Sequence, residues 1–248
     1  ARRAGLAALA AATLLLATGC SAPGPASAPP DWRAPPGQAL LLGEVHDNAA
    51  LHALRAQGLA ALLARGDRPA LLMEQFDRVQ QAAIDALHPP GQAAAPADVD
   101  SRTDALLRLG GPGWPWPQLR PVLRLAVQHG LPLVAANLGR AETRQVLQQG
   151  LAASGWQAAV PADIATAQAA AIAASHCGQV DAAMAARLAV AQVARDQAMA
   201  ALVQRHAGRG VVLLAGNGHV RADIGVPRWL GDDLRARTRV VGLLETAD

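Results

Sequence analysis

The 248-residue chain contains no lysine, no tyrosine, one phenylalanine and only two cysteines. Without lysine, every permanent positive charge is an arginine, and the arginines are interspersed with acids. Setting aside Arg2 and Arg3, 20 arginines face 19 carboxylates, so the basic balance is not an electrostatic footprint for nucleic acid. The lack of tyrosine removes the phenolate from the possible ligands and proton donors. Cys20 falls in an N-terminal leader, which leaves Cys177 as the one remaining thiol and excludes an intramolecular disulfide. The core must hold itself. Standard catalytic signatures are missing too: there is no G-x-S-x-G elbow and no H-E-x-x-H pair. Gly216-Asn217-Gly218 fails as a dinucleotide loop, because Arg221 stands where a third glycine belongs.

The start of the chain reads as a targeting segment. Arg2-Arg3 supply charge, Gly5 to Ala17 an apolar run, and Ala17-Thr18-Gly19 small residues before Cys20. The run falls short of the roughly 20 apolar residues that span a bilayer. Leu16-Ala17-Thr18-Gly19-Cys20 resembles a lipobox, which predicts a lipid on Cys20. Residues 21–37, rich in Pro, Ala, Ser and Gly, read as a solvated tether. The expected division is therefore a signal peptide over 1–20, a tether over 21–37 and one domain over 38–248.

Within that domain, apolar runs of strand length occur at Leu40–Leu42, Ala70–Met73, Leu131–Ala136, Val211–Ala215 and Val240–Leu244. Continuous apolar runs bounded by glycine suit strands buried on both faces of a parallel sheet. Between them lie segments at helical spacing, notably Ala49–Ala64 and Asp181–His206. Alternation of this kind predicts a three-layer α/β fold, a mainly parallel sheet flanked by helices. The helices between the third and fourth runs predict a helical insertion or cap.

Two of the runs lead through glycine to histidine: Leu40-Leu41-Leu42-Gly43-Glu44-Val45-His46 and Val211-Val212-Leu213-Leu214-Ala215-Gly216-Asn217-Gly218-His219. Ligands in parallel α/β folds sit beyond the carboxyl ends of the strands. Glu44, His46, Glu74, Asn137 and His219 are thus expected to converge at one sheet edge, with Arg140 nearby. Glu44 and Glu74 could instead cap the following helices. Gly216-Asn217-Gly218 suggests a close backbone approach or a positive φ. Asp196, midway along the last long helix, could be solvated or could orient a histidine. His176-Cys177 ends a helix, and either residue is a candidate metal ligand. His52 is expected on an exposed helical arc, His88, His129 and His206 near helix C-termini, and the Trp114-Pro115-Trp116-Pro117 loop as a lid on the core.

On these residues the sequence resembles the ChaN family of haem-binding bacterial lipoproteins, within the wider group that includes Tiki metalloproteases and erythromycin esterases. The resemblance rests on several segments in order: Leu42 to Asn48, Met73-Glu74, Trp116 to Pro121, Ala135 to Leu138, His176-Cys177, Arg195-Asp196 and Ala215 to Arg221. It implies a parallel-sheet core, haem bound between two subunits and a link to iron uptake. It also implies a tyrosine on the iron, but Leu119 stands at the matching position. The axial ligand then falls to His219 first, His46 next, or His176 or Cys177, since imidazole and thiolate both ligate haem iron. The expected haem site is Glu44, His46, Glu74, Asn137, Arg140, His176, Asn217, His219 and Arg221, with Arg140 and Arg221 for the propionates. An alternative is a hydrolase that holds a divalent metal ion among Glu44, His46, Glu74 and His219. An inert envelope scaffold is the third reading, and it would need no converging carboxylates. The expected setting is the bacterial cell envelope, facing the periplasm or exterior, with membrane attachment through Cys20 and a homodimer sandwiching haem.

Overall fold

The computed structural model describes residues 31–177 and 179–245. Five strands, β1 (Ala39–Leu42), β2 (Ala70–Asp77), β3 (Leu133–Asn137), β4 (Val211–Leu214) and β5 (Thr238–Val241), form one parallel sheet in the order β3-β2-β4-β1-β5. Parallel strands need long crossovers, and helices supply them. They are α1 (Ala49–Ala64), α2 (Gln81–Leu87), α3 (Val99–Leu109), α4 (Trp116–His129), α5 (Arg140–Ala153), α6 (Ala162–Ser175), α7 (Ala182–His206), α8 (Asn217–Val220) and α9 (Asp232–Ala236).

Both faces of the sheet are buried, which explains the unbroken apolar runs. Leu40, Leu42, Met73, Val212 and Leu214 pack against Leu59, Leu62 and Leu63 of α1 and Leu123 of α4. The alternate residues Leu41, Leu72 and Leu213 pack against Met199 and Val203 of α7 and Leu234 of α9. The result is the expected three-layer α/β architecture. The helical insertion is also present: α5 and α6 pack on α7 around Val146, Ile164, Val193 and Ala194.

Several boundaries differ from the sequence reading, β3 among them, which starts at Leu133 and ends at Asn137. β2 runs on to Asp77, its pairing with β3 shifting register between Met73 and Asp77. The last strand begins earlier, at Thr238, and is over by Val241. Beyond Gly242 the chain is captured by the Asn217 amide, which accepts from the Leu243 N–H at 3.2 Å and donates to the Leu243 carbonyl at 2.6 Å. The packed domain also reaches back into the expected tether. Trp32 and Ala34 are buried, the Trp32 ring lies where a Cβ on Gly58 would collide, and Arg33 donates to Asp67 at 3.0 Å. Residues 1–30, with Cys20 and the leader, lie outside the described residues.

Candidate functional site

The sheet order makes β1 and β4 neighbours and puts β2 beside β4, so the residues that leave these three strands meet. Close backbone approach is built in at two glycines. A Cβ on Gly43 would collide with Asn217, and one on Gly216 would stand 2.9 Å from the His46 ring. No positive φ is involved at Gly216 or Gly218, contrary to one of the two expectations for that turn; the chain instead enters the single turn of α8. Glu44, Glu74, His46, Asn217 and His219 all line one crevice of about 720 Å³.

The inner wall is a buried ion cluster. His219 is 4% exposed. Its Nδ1–H donates to Asp196 at 2.6 Å, and its Nε2 lies 3.3 Å from Glu74 Oε1. Glu74 also accepts from the Gly216 N–H at 2.7 Å, so it does not cap a helix through its neighbours in sequence. Asp196 accepts from Gln168 at 2.9 Å. Burial alone would lower the His219 pKa, but the two carboxylates overcome it and hold the imidazolium to about 10. Burial alone would raise the Glu74 carboxyl, but His219 and the Gly216 N–H bring it down to about 2. Asp196 is pushed up to about 6 by burial, against the pull of His219.

Both ring nitrogens of His219 therefore already have protein partners, the Gln192 amide nitrogen also lying 3.1 Å from Nε2. A doubly protonated ring whose two N–H groups face carboxylates has no lone pair for a metal. His219 therefore serves the wall, and Asp196 is the carboxylate that orients it.

The outer wall is built on Glu44. Its Oε1 accepts from His46 Nδ1 at 2.9 Å and from Gln75 Nε2 at 3.1 Å, while Oε2 meets Arg55 and lies 3.2 Å from His52 Nδ1. Asn48, not Glu44, caps α1 by accepting from Leu51 N–H at 3.1 Å. His52 was expected on an exposed arc; it is 1% exposed and lies 2.8 Å from the His46 carbonyl. Arg55 was overlooked. A fully buried guanidinium three residues after His52 shares its helix face, and that polar pair in a leucine-rich helix is the signal that could have found it.

His46 is the exception in this buried set, with a side chain 48% exposed. The hydrogen bond to Glu44 raises its pKa, with burial opposing. Trp114 meets the ring edge-on, centroids 4.6 Å apart at 81°. The loop expected to cover the core thus also flanks the site. With Nδ1 donating to Glu44, Nε2 has no partner among the described residues and lies on the crevice side, near Gly216.

Other expected residues lie elsewhere. Asn137 and Arg140 line an adjoining cavity. Arg221 is half-exposed and gives its guanidinium to Asp223, 2.6 Å away, outside the crevice. His176 is exposed at the end of α6, its Nδ1 2.7 Å from the Ile172 carbonyl, and Cys177 is exposed beyond it; the crevice lining reaches only to Ser175. Asn217 lines the crevice, but its amide is committed to Leu243. Leu119 is fully buried in the core against α1 and the sheet, away from the crevice. Among the described residues no three His, Cys, Asp or Glu side chains are arranged to hold a metal ion. The four residues of the divalent-ion alternative are tied to one another and to Arg55 and Asp196 instead.

Comparison with known proteins adds four findings. The family described as haem-binding uptake, Tiki superfamily, ChaN matches residues 33–230. A solved structure of cofacial heme binding to ChaN of Campylobacter jejuni is 18% identical, with a TM-score of 0.65 over 85% of this chain and 82% of that one. The structure of the type III effector HopBA1 is 16% identical, with a TM-score of 0.41 over 82% of this chain and 75% of that one. No curated protein matches.

Proposed function

We propose that this chain, which belongs to the haem-binding uptake, Tiki superfamily, ChaN family, binds haem in the 720 Å³ crevice, with His46 Nε2 as the iron ligand. The observation that carries the reading is the His46–Glu44 bond of 2.9 Å beside an unengaged Nε2. Imidazoles that ligate metals donate their other N–H to a carboxylate or carbonyl, which fixes the tautomer and raises ligand basicity. Glu44 does this, and Arg55 and His52 hold Glu44 from behind. Val45, Ala171, Ile172 and Ile224 offer apolar wall, and Arg195 borders the crevice with no carboxylate within salt-bridge distance among the described residues, which suits a propionate. Haem, when bound, supplies an iron centre whose properties follow from its axial ligand and surroundings. The chain's own part is to orient His46 and to back the crevice with the buried cluster of Glu74, His219 and Asp196.

Titrating haemin into the purified protein tests this by the Soret band. His46→Ala is expected to weaken binding at least about tenfold and to change the ligand-field spectrum. Binding that is equally tight with an unchanged spectrum would refute histidine ligation by His46. The divalent-ion hydrolase reading gains support only if the protein as purified retains stoichiometric zinc or manganese and takes up no haem.

We place the domain, as part of the same proposal, on a bacterial envelope membrane through a lipid on Cys20, facing the periplasm or exterior, in the uptake or handling of haem iron. Stable anchoring takes more than one acyl chain. Equal detergent partitioning of wild type and Cys20→Ser would sink that part. His46 sits half-exposed, which leaves room for a second copy of the chain to cover the outer face of the haem. Sedimentation with and without haemin decides whether haem drives dimerisation.

A further inference from the structure

Beside the crevice, on the far side of Trp114, lies a second cavity of about 430 Å³. Gln75, Asp77, Asn137, Arg140, Arg195 and Trp114 line it. Gln75 is 2% exposed. Its amide N–H₂ is held by Glu44 at 3.1 Å, which fixes the amide and leaves Oε1 without a partner. Asn137 repeats the arrangement: its N–H₂ donates to Asp77 at 3.2 Å and Oδ1 is left unpaired. Across the cavity Arg195 Nε is buried and unpaired, and neither Arg195 nor Arg140 has a carboxylate within 4.0 Å among the described residues. Both arginines line the same cavity as Asp77. Buried polar atoms in native proteins are nearly always satisfied, and orphans grouped on one cavity call for a missing partner.

We propose that this cavity is a binding site for a 2-hydroxycarboxylate with an apolar body. Its carboxylate meets Arg140 and Arg195, its hydroxyl donates to Gln75 or Asn137, and its body lies along Trp114. The charges select the class. Two arginines and one aspartate leave the cavity one positive charge, which a monocarboxylate neutralises, whereas a ligand with no hydroxyl leaves the amide oxygens unpaired. The site borders the haem crevice and shares Arg195 with it, but it needs neither iron nor an imidazole ligand.

The probe is 3-phenyllactate, titrated calorimetrically at low ionic strength into the full chain free of haem. The matched comparison is 3-phenylpropionate, the same acid without the hydroxyl. Phenyllactate is expected to bind, with phenylpropionate and the Arg140→Ala variant each at least about tenfold weaker. Arg140 is exposed at the first turn of α5, so its truncation spares the core. Arg124→Ala, a surface change on α4, should leave binding as it is. The proposal falls if no heat is seen, if the two acids or inorganic phosphate bind alike, or if Arg140→Ala has no effect. Haem binding without phenyllactate binding leaves the haem reading standing alone.

Discussion

His46 and His219 leave adjacent parallel strands through glycine and face one crevice, yet they carry opposite chemistry. Around His46 the chain places one carboxylate, already neutralised by Arg55, and an aromatic edge; half the side chain meets solvent and Nε2 is free. Around His219 it places two buried carboxylates, one on each ring nitrogen. The first ring keeps a lone pair and the second gives up both. The position of a histidine at a strand end selects the crevice. The charges behind it select whether it is a ligand or a wall.

The largest effect that can break this comparison is at Arg55. Arg55→Met removes the guanidinium that compensates a fully buried Glu44, and breaking a buried pair from one side costs about 3–5 kcal/mol. Urea denaturation should show that loss. A loss under about 1 kcal/mol would mean that Glu44 does not depend on Arg55 for its charge, and the outer wall would then be less distinct from the inner one.

The pH dependence of stability sharpens it next. His219 is raised from its ordinary 6.5 to about 10, so the stability it contributes is fully present below about 6.5 and is lost as pH rises towards 10. Glu74 is lowered from 4.5 to about 2, so its contribution is present above about 4.5 and disappears as pH falls towards 2. Asp196, raised from 3.8 to about 6, works against Glu74 across the acid range. Between pH 7 and 10 the field is unusually clear, because the chain has no lysine and no tyrosine to titrate there. Stability should fall across that window by on the order of a few kcal/mol, and His219→Gln should flatten the slope. A flat wild-type profile would make His219 neutral and return it to the candidate iron ligands.

The smallest effect is at the start of α1. Asn48→Ala removes the cap on the helix that carries His52 and Arg55, and should cost about 1 kcal/mol. Haem affinity should change less than about twofold, since His46 is held by Glu44 and not by the helix end. A large loss of haem affinity would show that the outer wall depends on the placing of α1 as much as on Glu44.

What the sequence determined by itself is the frame. Unbroken apolar runs such as Leu40–Leu42 and Val211–Leu214 can be buried only between two helical layers, and that forces a parallel sheet with its polar residues collected at one edge. Glu44, His46, Glu74 and His219 were legible there because each directly follows such a run. Tertiary structure alone decided which partner each of them took. Arg55 reaches Glu44, and Asp196 reaches His219, across gaps of 11 and 23 residues, from helices whose local pattern is equally consistent with solvated charge. Asn137 and Arg140 went to a separate cavity because β3 is the edge strand beyond β2, a strand order that no local pattern encodes. Burial of a charge is a property of the packed whole, and its cost is met only by the partner that the packing brings.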